Sequence, residues 1–284
     1  MILITGGTGQ CGGEIVRQLA ATGTAFRMLV RDPVRAAITA PKGAQLVKGD
    51  LEDIASIEAA AGGCEIALFN SDGSPKLAAQ QKNFLAAAKK AGVKHIVRFS
   101  AMGADANSPM DFPKWHGQAE ADLLASGLAW TLLRPTFFMQ NILGTAATIK
   151  SQNAIYMPAG DGKAPYVDLA DIAAVAVKAL TTGGHAGKTY VITGPRDISW
   201  GDIASAIGQA TAKSINYVNV PPEAAKKSLL SAGLEEWRAD AVLGLMMGTR
   251  NGWMTGVTNT VREVTGKPAK SIEQWAVENA AKFM

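Results

Sequence analysis

The chain has 284 residues, of which 48% are apolar and 18% charged, and its net charge is +4. That is ample apolar material for one large or two unequal globular units. The charges are dispersed, with no basic run or stripe interleaved with aromatics, so nothing points to nucleic acid. Two cysteines and three histidines give neither a disulfide framework nor metal-ligand spacing. No run of about 18 apolar residues is present to span a bilayer. Met1 leads straight into an apolar run, so no secretory leader is expected and a cytoplasmic location fits.

Ile2-Leu3-Ile4 predicts a first strand, followed at once by Thr5-Gly6-Gly7-Thr8-Gly9-Gln10-Cys11-Gly12-Gly13. A helical pattern comes next, with Ile15, Val16, Leu19 and Ala20 inward and Glu14, Arg17 and Gln18 outward. Strand, glycine turn and helix in this order make a dinucleotide site. The glycines let the backbone approach a pyrophosphate, and the helix N-terminus offers it free N–H groups and a favourable dipole. Gly6, Thr8, Gly9, Gln10, Cys11 and Gly12 are the candidate phosphate-facing residues. The alternative is a tight β–α turn that binds nothing. Cys11 near a helix N-terminus is expected to have a lowered thiol pKa, although simple filling of a tight loop explains it as well.

Ala25 to Val30 predicts the second strand, with Arg31-Asp32-Pro33 at its tip. NAD proteins place an acidic residue about 20 positions after the glycine loop. Here Arg31 stands at that point, and a guanidinium matches a ribose 2′-phosphate in shape and charge. NADP(H) is therefore favoured over NAD(H), with Arg35 as a second contact; the alternative for Arg31 is a solvated strand-end charge. Ala44 to Gly49 predicts a third strand leading into Asp50 and Leu51. Asp50 either accepts from the adenine amino group or caps the helix that begins at Asp53.

Glu65 to Asn70 reads as a fourth strand, whose exit carries Asn70 and Ser71 toward the same edge. Leu77 to Gly92 is a helix, His95 to Ser100 a fifth strand, Pro113 to Gly127 a helix and Trp130 to Leu133 a sixth strand. Such alternation predicts an α/β fold with a parallel, doubly wound sheet and ligands outside the carboxyl ends of its strands. Beyond Pro135 the pattern changes. Asp168 to Leu180 is amphipathic, Lys188 to Ile192 is a short strand, and the remainder is mostly helical. Ser199-x-x-Asp202 and Ser271-x-x-Gln274 have capping-box spacing, and Pro221-Pro222 opens a helix that Gly233 closes. The expected organisation is 1–135 with 165–193 as the nucleotide-binding domain, and 136–164 with 194–284 as a smaller, mostly helical lobe. A substrate cleft between them would draw on Phe137, Phe138, Met139, Trp237, Met246, Met247 and Trp253, although ordinary core packing accounts for any one of these. Pro135 and Phe137 are also expected near the cofactor.

Several phrases together resemble one family: Thr5-Gly6-Gly7-Thr8-Gly9-x-x-Gly12, Leu29-Val30-Arg31-Asp32-Pro33, Gly49-Asp50-Leu51, Gly92-Val93-Lys94-His95-Ile96-Val97-x-x-Ser100, Ala119-Glu120, Leu133-Arg134-Pro135 and Thr265-Gly266-Lys267-Pro268. The chain is similar over nearly its whole length to the NmrA-like, atypical short-chain dehydrogenase/reductase proteins. Among these it looks nearest to bacterial triphenylmethane reductases and NADPH:quinone oxidoreductases. The resemblance implies a Rossmann domain, bound NADP(H) and a small C-terminal lobe. Typical members of the wider superfamily carry a Tyr-x-x-x-Lys pair, and there this chain departs from the pattern: Phe112 stands at the Tyr position and His116 at the Lys position. Lys114 is about 200° around the helix from Phe112 and cannot substitute.

His116 is thus a candidate for contact with the nicotinamide ribose or for proton transfer, with Glu120 one turn on to hold it charged; a surface His–Glu pair is the plain alternative. Ser100 matches the superfamily's serine, either polarising a substrate oxygen or satisfying its own loop. Two functions follow. One is an NADPH-dependent reductase of a small conjugated, aromatic or quinone-like acceptor, which takes hydride with little acid help. The other is a non-catalytic NADP-sensing regulator that binds a protein partner. A sugar-nucleotide epimerase is disfavoured, because such enzymes keep the Tyr. Substrate identity and oligomeric state stay open.

Overall fold

Seven strands form one sheet in the computed structural model, which describes residues 1–284. They are β1 (Ile2–Ile4), β2 (Phe26–Val30), β3 (Gln45–Lys48), β4 (Ile66–Phe69), β5 (His95–Phe99), β6 (Ala129–Pro135) and β8 (Lys188–Ile192), in the spatial order β3-β2-β1-β4-β5-β6-β8. All pairings among β1 to β6 are parallel. Strand order reverses between β1 and β4, which makes that point the topological switch, where α/β sheets take ligands at their carboxyl edge. This is the doubly wound α/β architecture expected from the alternation.

The crossovers are α1 (Gln10–Ala21), α3 (Ile54–Ala61), α4 (Leu77–Lys90), α5 (Asp111–Ala125) and α7 (Leu169–Thr181). α1 packs against α7, while α3, α4 and α5 pack in succession. Beneath the second group lies a core of Leu3, Leu29, Ala67, Phe69, Phe84, Leu85 and Ile96, with the Phe69 and Phe84 rings 5.0 Å apart. The central strands are buried along their length, which is why they read as apolar runs without alternation.

Two compact units emerge from the chain's own contacts: Met1–Arg134 with Leu169–Val191, and Pro135–Asp168 with Ile192–Met284. In the second, a 3₁₀ segment (Met139–Thr145) leads into α6 (Ala146–Gln152) and β7 (Ala154–Met157), which pairs in parallel with β9 (Asn216–Asn219). α8 (Trp200–Thr211), α9 (Pro222–Ser231), α10 (Glu236–Arg250), α11 (Thr260–Thr265) and α12 (Ile272–Asn279) complete it. Both capping boxes form: Ser199 with Asp202 opens α8, and Ser271 with Gln274 opens α12. Pro222 begins α9, and Gly233 lies just past its end at φ +86°. Asp168 is buried and bonded by Gln140 at 2.6 Å and Lys270 at 2.7 Å. The β7–β9 pair and the 3₁₀ segment were not expected. Two four-residue strands some sixty residues apart leave no local pattern to read.

Candidate functional site

The turn after β1 is shaped by its glycines. Gly6 has φ +65°, and a methyl there would overlap the Asn70 carbonyl oxygen. A methyl on Gly12 would overlap the Gly6 carbonyl oxygen. The Thr5 hydroxyl donates to the Asn70 carbonyl at 2.8 Å and accepts the Asn70 N–H at 2.9 Å. This ties the turn to the exit of β4 across the switch point. Thr8, Gly9 and Gln10 are exposed. Gly9 precedes α1 in extended conformation, and no side chain caps the helix. Its first N–H groups therefore remain available to an outside acceptor. A cradle that only main chain can line, at an uncapped helix N-terminus, fits the diphosphate of a dinucleotide. Cys11 departs from expectation, because burial outweighs the helix terminus and pushes its thiol up to about 12.

At the tip of β2 the Arg31 side chain is exposed. Asp32 is occupied as the N-cap of the short α2 (Pro33–Ala37), accepting from the Val34 and Arg35 N–H groups at 3.0 Å each. Asp50 is not a helix cap: Asp53 takes that role, accepting from Ala55 and Ser56. Asp50 instead accepts the Glu52 N–H at 2.9 Å in its own turn, with half-buried Leu51 beside it. At the exit of β4, Asn70 is buried and the Ser71 hydroxyl is buried without a hydrogen-bond partner.

The most polar part of the interior lies where β5, β6, α4 and α5 meet. Arg98, on β5, has no exposed surface. Its Nε donates to Gln81 Oε1 at 2.6 Å, and Nη1 donates to the Phe99 carbonyl at 2.9 Å and meets His116 Nδ1 at 3.2 Å. Nη2 has no partner. Burial lowers the Arg98 pKa to about 10, with Glu120 opposing and Arg134 reinforcing the shift, so the guanidinium stays charged at neutral pH. Glu120 is buried and held by Arg134 through Nε at 2.9 Å and through Nη2; it also accepts the Ser100 hydroxyl.

This arrangement corrects two expectations. Glu120 does not hold the His116 ring, because Arg134 and Ser100 occupy its oxygens. Burial, reinforced by Arg98, keeps the His116 pKa well below the ordinary histidine value, so the ring is neutral where a charged one was anticipated. Nor does Ser100 satisfy its loop backbone through its hydroxyl, which is committed to Glu120. Phe112 is half-buried, packs edge-on against Trp115 at 5.5 Å, and has no proton to offer; Lys114 points to solvent. A methyl on Gly73, in the loop after β4, would stand 2.9 Å from Phe112 Cδ1 and 3.6 Å from His116 Nε2. The His116 ring edge therefore faces the carboxyl end of the sheet. Sequence reasoning missed Arg98 and Gln81. The available signal was an arginine inside an otherwise apolar central strand.

In the second unit, Pro135 is buried at the end of β6. Phe137 is half-buried and stacks on Tyr166 at 5.4 Å. A surface hollow of about 670 Å³, with Asp161, Lys163 and Arg250 in its wall, includes none of the aromatic or methionine residues nominated as pocket liners. Trp253 is exposed, and Met246 and Met247 are half-buried.

The fold and this edge define a nucleotide-binding α/β protein of the atypical short-chain dehydrogenase/reductase type. The NmrA-like family profile matches residues 1–245, and the chain belongs to that family. It is 38% identical over 283 residues to the NAD(P)H azoreductase of Xenophilus azovorans, covering 100% of this chain and 99% of the relative. The NADPH-dependent quinone oxidoreductase of Escherichia coli, solved with NADPH, superposes with a TM-score of 0.90 at 30% identity over 98% of this chain and 99% of that one. The Citrobacter triphenylmethane reductase complexed with NADP(H) gives 0.89 at 25% identity over 99% and 100%.

Proposed function

We propose that this protein is an NADPH-dependent reductase that delivers hydride to a conjugated, aromatic acceptor of the quinone, azo or cationic-dye class. The observation that carries the reading is the uncapped α1 N-terminus behind a cradle closed to side chains at Gly6 and Gly12, in a chain similar end to end to reductases of such acceptors. When bound, the cofactor supplies the hydride. The residues of this chain hold it. Main-chain N–H groups from Gln10 to Gly12 would face the diphosphate, the Gly9 N–H being spent on the Gly6 carbonyl, while Arg31 would face the 2′-phosphate and Asp50 and Leu51 would flank the adenine. Asn70 and Ser71 border the path from diphosphate to nicotinamide, and His116 meets the nicotinamide ribose. With Phe112 in place of a tyrosine, the proton that completes quinone or azo reduction comes from solvent, while a cationic dye is neutralised by hydride and needs none.

The test is steady-state NADPH oxidation against a panel of quinones, azo compounds, triphenylmethane dyes and simple ketones. Turnover is expected with the first three classes and not with the ketones. A folded protein that binds NADPH but oxidises it with none of the four, or with ketones alone, refutes the reading.

A further inference from the structure

His116 is held by one neighbour, and that neighbour is chemically one-sided. A guanidinium has five N–H donors and no acceptor. Arg98 Nη1 faces His116 Nδ1 at 3.2 Å, so Nδ1 must be the bare nitrogen and the ring proton must sit on Nε2. Nε2 is the atom turned toward the loop after β4, and the bond to Arg98 is the ring's only hydrogen bond within the chain. Arg98 is itself fixed from two further sides, by Gln81 on α4 and by the Phe99 carbonyl. Gln81 is locked in turn by donating to the Ala119 carbonyl on α5. The cost of this arrangement is visible, because Nη2 is left buried and unpaired. A site built only to shelter an arginine would satisfy that group.

We propose that Arg98 is a positioning residue for His116, occupying the Nδ1 lone pair so that the ring presents Nε2–H toward the cofactor edge as a fixed, neutral hydrogen-bond donor. The groups around the ring agree. Arg98 faces it from β5, and Glu120, on its own helix, is engaged by Arg134 from β6 and by Ser100. Gln81 from α4 is uncharged, and the loop after β4 brings Gly73 beside it, with Asp72 adjacent in sequence. Two guanidinia already face one carboxylate here, so a third positive charge on His116 is opposed. A lysine with its mobile cation donates as readily to a ribose hydroxyl as this arrangement does; His116 needs Arg98 to be equivalent. The inference rests on the ribose role proposed for His116.

Because replacing a fully buried arginine can unfold the chain, the wild-type protein supplies the first measurement. Long-range ¹H–¹⁵N spectra of the three histidine rings, with His116→Gln to identify the signal, report which nitrogen is protonated. The expected result is a bare Nδ1 and protonated Nε2 with no titration from pH 5.5 to 8. A proton on Nδ1, or titration near pH 6.5, overturns the proposal.

Arg98→Lys and Arg98→Gln, checked for folding by circular dichroism, are expected to loosen the tautomer, so that the ring proton spreads over both nitrogens. They should also raise the KM for NADPH about fivefold while kcat changes less than twofold. In the double variant Arg98→Gln/His116→Phe, the loss should equal that of His116→Phe alone; additive losses overturn the proposal. If His116→Phe leaves NADPH affinity unchanged while the wild-type spectra are as expected, the ribose reading falls and the Arg98–His116 pairing stands.

Discussion

The glycine turn after β1 and the buried cluster around Arg98 share one edge of one sheet and are built on opposite principles. The turn binds by main chain. Its recognition groups are N–H donors that every residue possesses, and side chains are excluded by overlap at Gly6 and Gly12. The cluster works mainly by side chains, gathering two arginines, a glutamate, a glutamine and a histidine from four elements and a serine from the residue after β5. A main-chain site depends on local geometry, so a short motif specifies it. A side-chain network depends on which elements become neighbours, so no stretch of sequence contains it. The turn should therefore fail by steric damage and the cluster by uncompensated charge.

The largest effect is expected in the cluster. Glu120→Gln removes the one carboxylate facing Arg98 and Arg134, and breaking a buried pair on one side costs about 3 kcal/mol. Urea unfolding reads this directly, and a loss under 0.5 kcal/mol would mean that solvent compensates the arginines. Gly12→Ala comes next: its methyl must displace the Gly6 carbonyl, which should cost about 2 kcal/mol in stability and abolish detectable NADPH binding by calorimetry. Retained affinity would show that the turn can open without harm.

Arg31→Asp should leave the fold intact and weaken NADPH by roughly 10- to 100-fold while NADH binding is little changed. Equal losses would remove Arg31 from the 2′-phosphate. The smallest effect concerns pH. Burial lowers the pKa values of His95, His116 and His185. Below about pH 6.5 the unfolded chain takes up protons that the folded chain refuses, so stability is full above that pH and falls beneath it. His116 alone accounts for about 1 kcal/mol between pH 6.5 and 5.5, and His116→Gln should flatten that part of the urea-midpoint profile.

Reading the residues found most of the first unit. Ile2–Ile4, Phe26–Val30 and Ile66–Phe69 are continuous apolar runs because a central parallel strand is covered on both faces, and glycines mark where the helices stop. Reading also found the turn and the two capping boxes, and it put Phe112 and His116 on one helix. It leaves Asp50 open between adenine contact and helix cap, since two aspartates three residues apart are equally good caps until the backbone selects one, here Asp53. It assigned Glu120 to His116 from their one-turn spacing, but Arg134, distant in sequence, bonds that carboxylate in two places. In the sequence Arg98 reads as one more residue of a strand. Only the approach of α4 and α5 reveals that its charge is interior. In the second unit, β7 and β9 are brief, and their partnership is invisible before folding.

The doubly bonded Thr5 hydroxyl has a kinetic and thermodynamic consequence. By fastening the exit of β1 to the exit of β4, it rigidifies the rim of the anion cradle in the ligand-free protein. Little backbone freedom then remains to be surrendered when a nucleotide arrives. Affinity for a dinucleotide would then depend in part on a buried threonine whose hydroxyl is committed to Asn70.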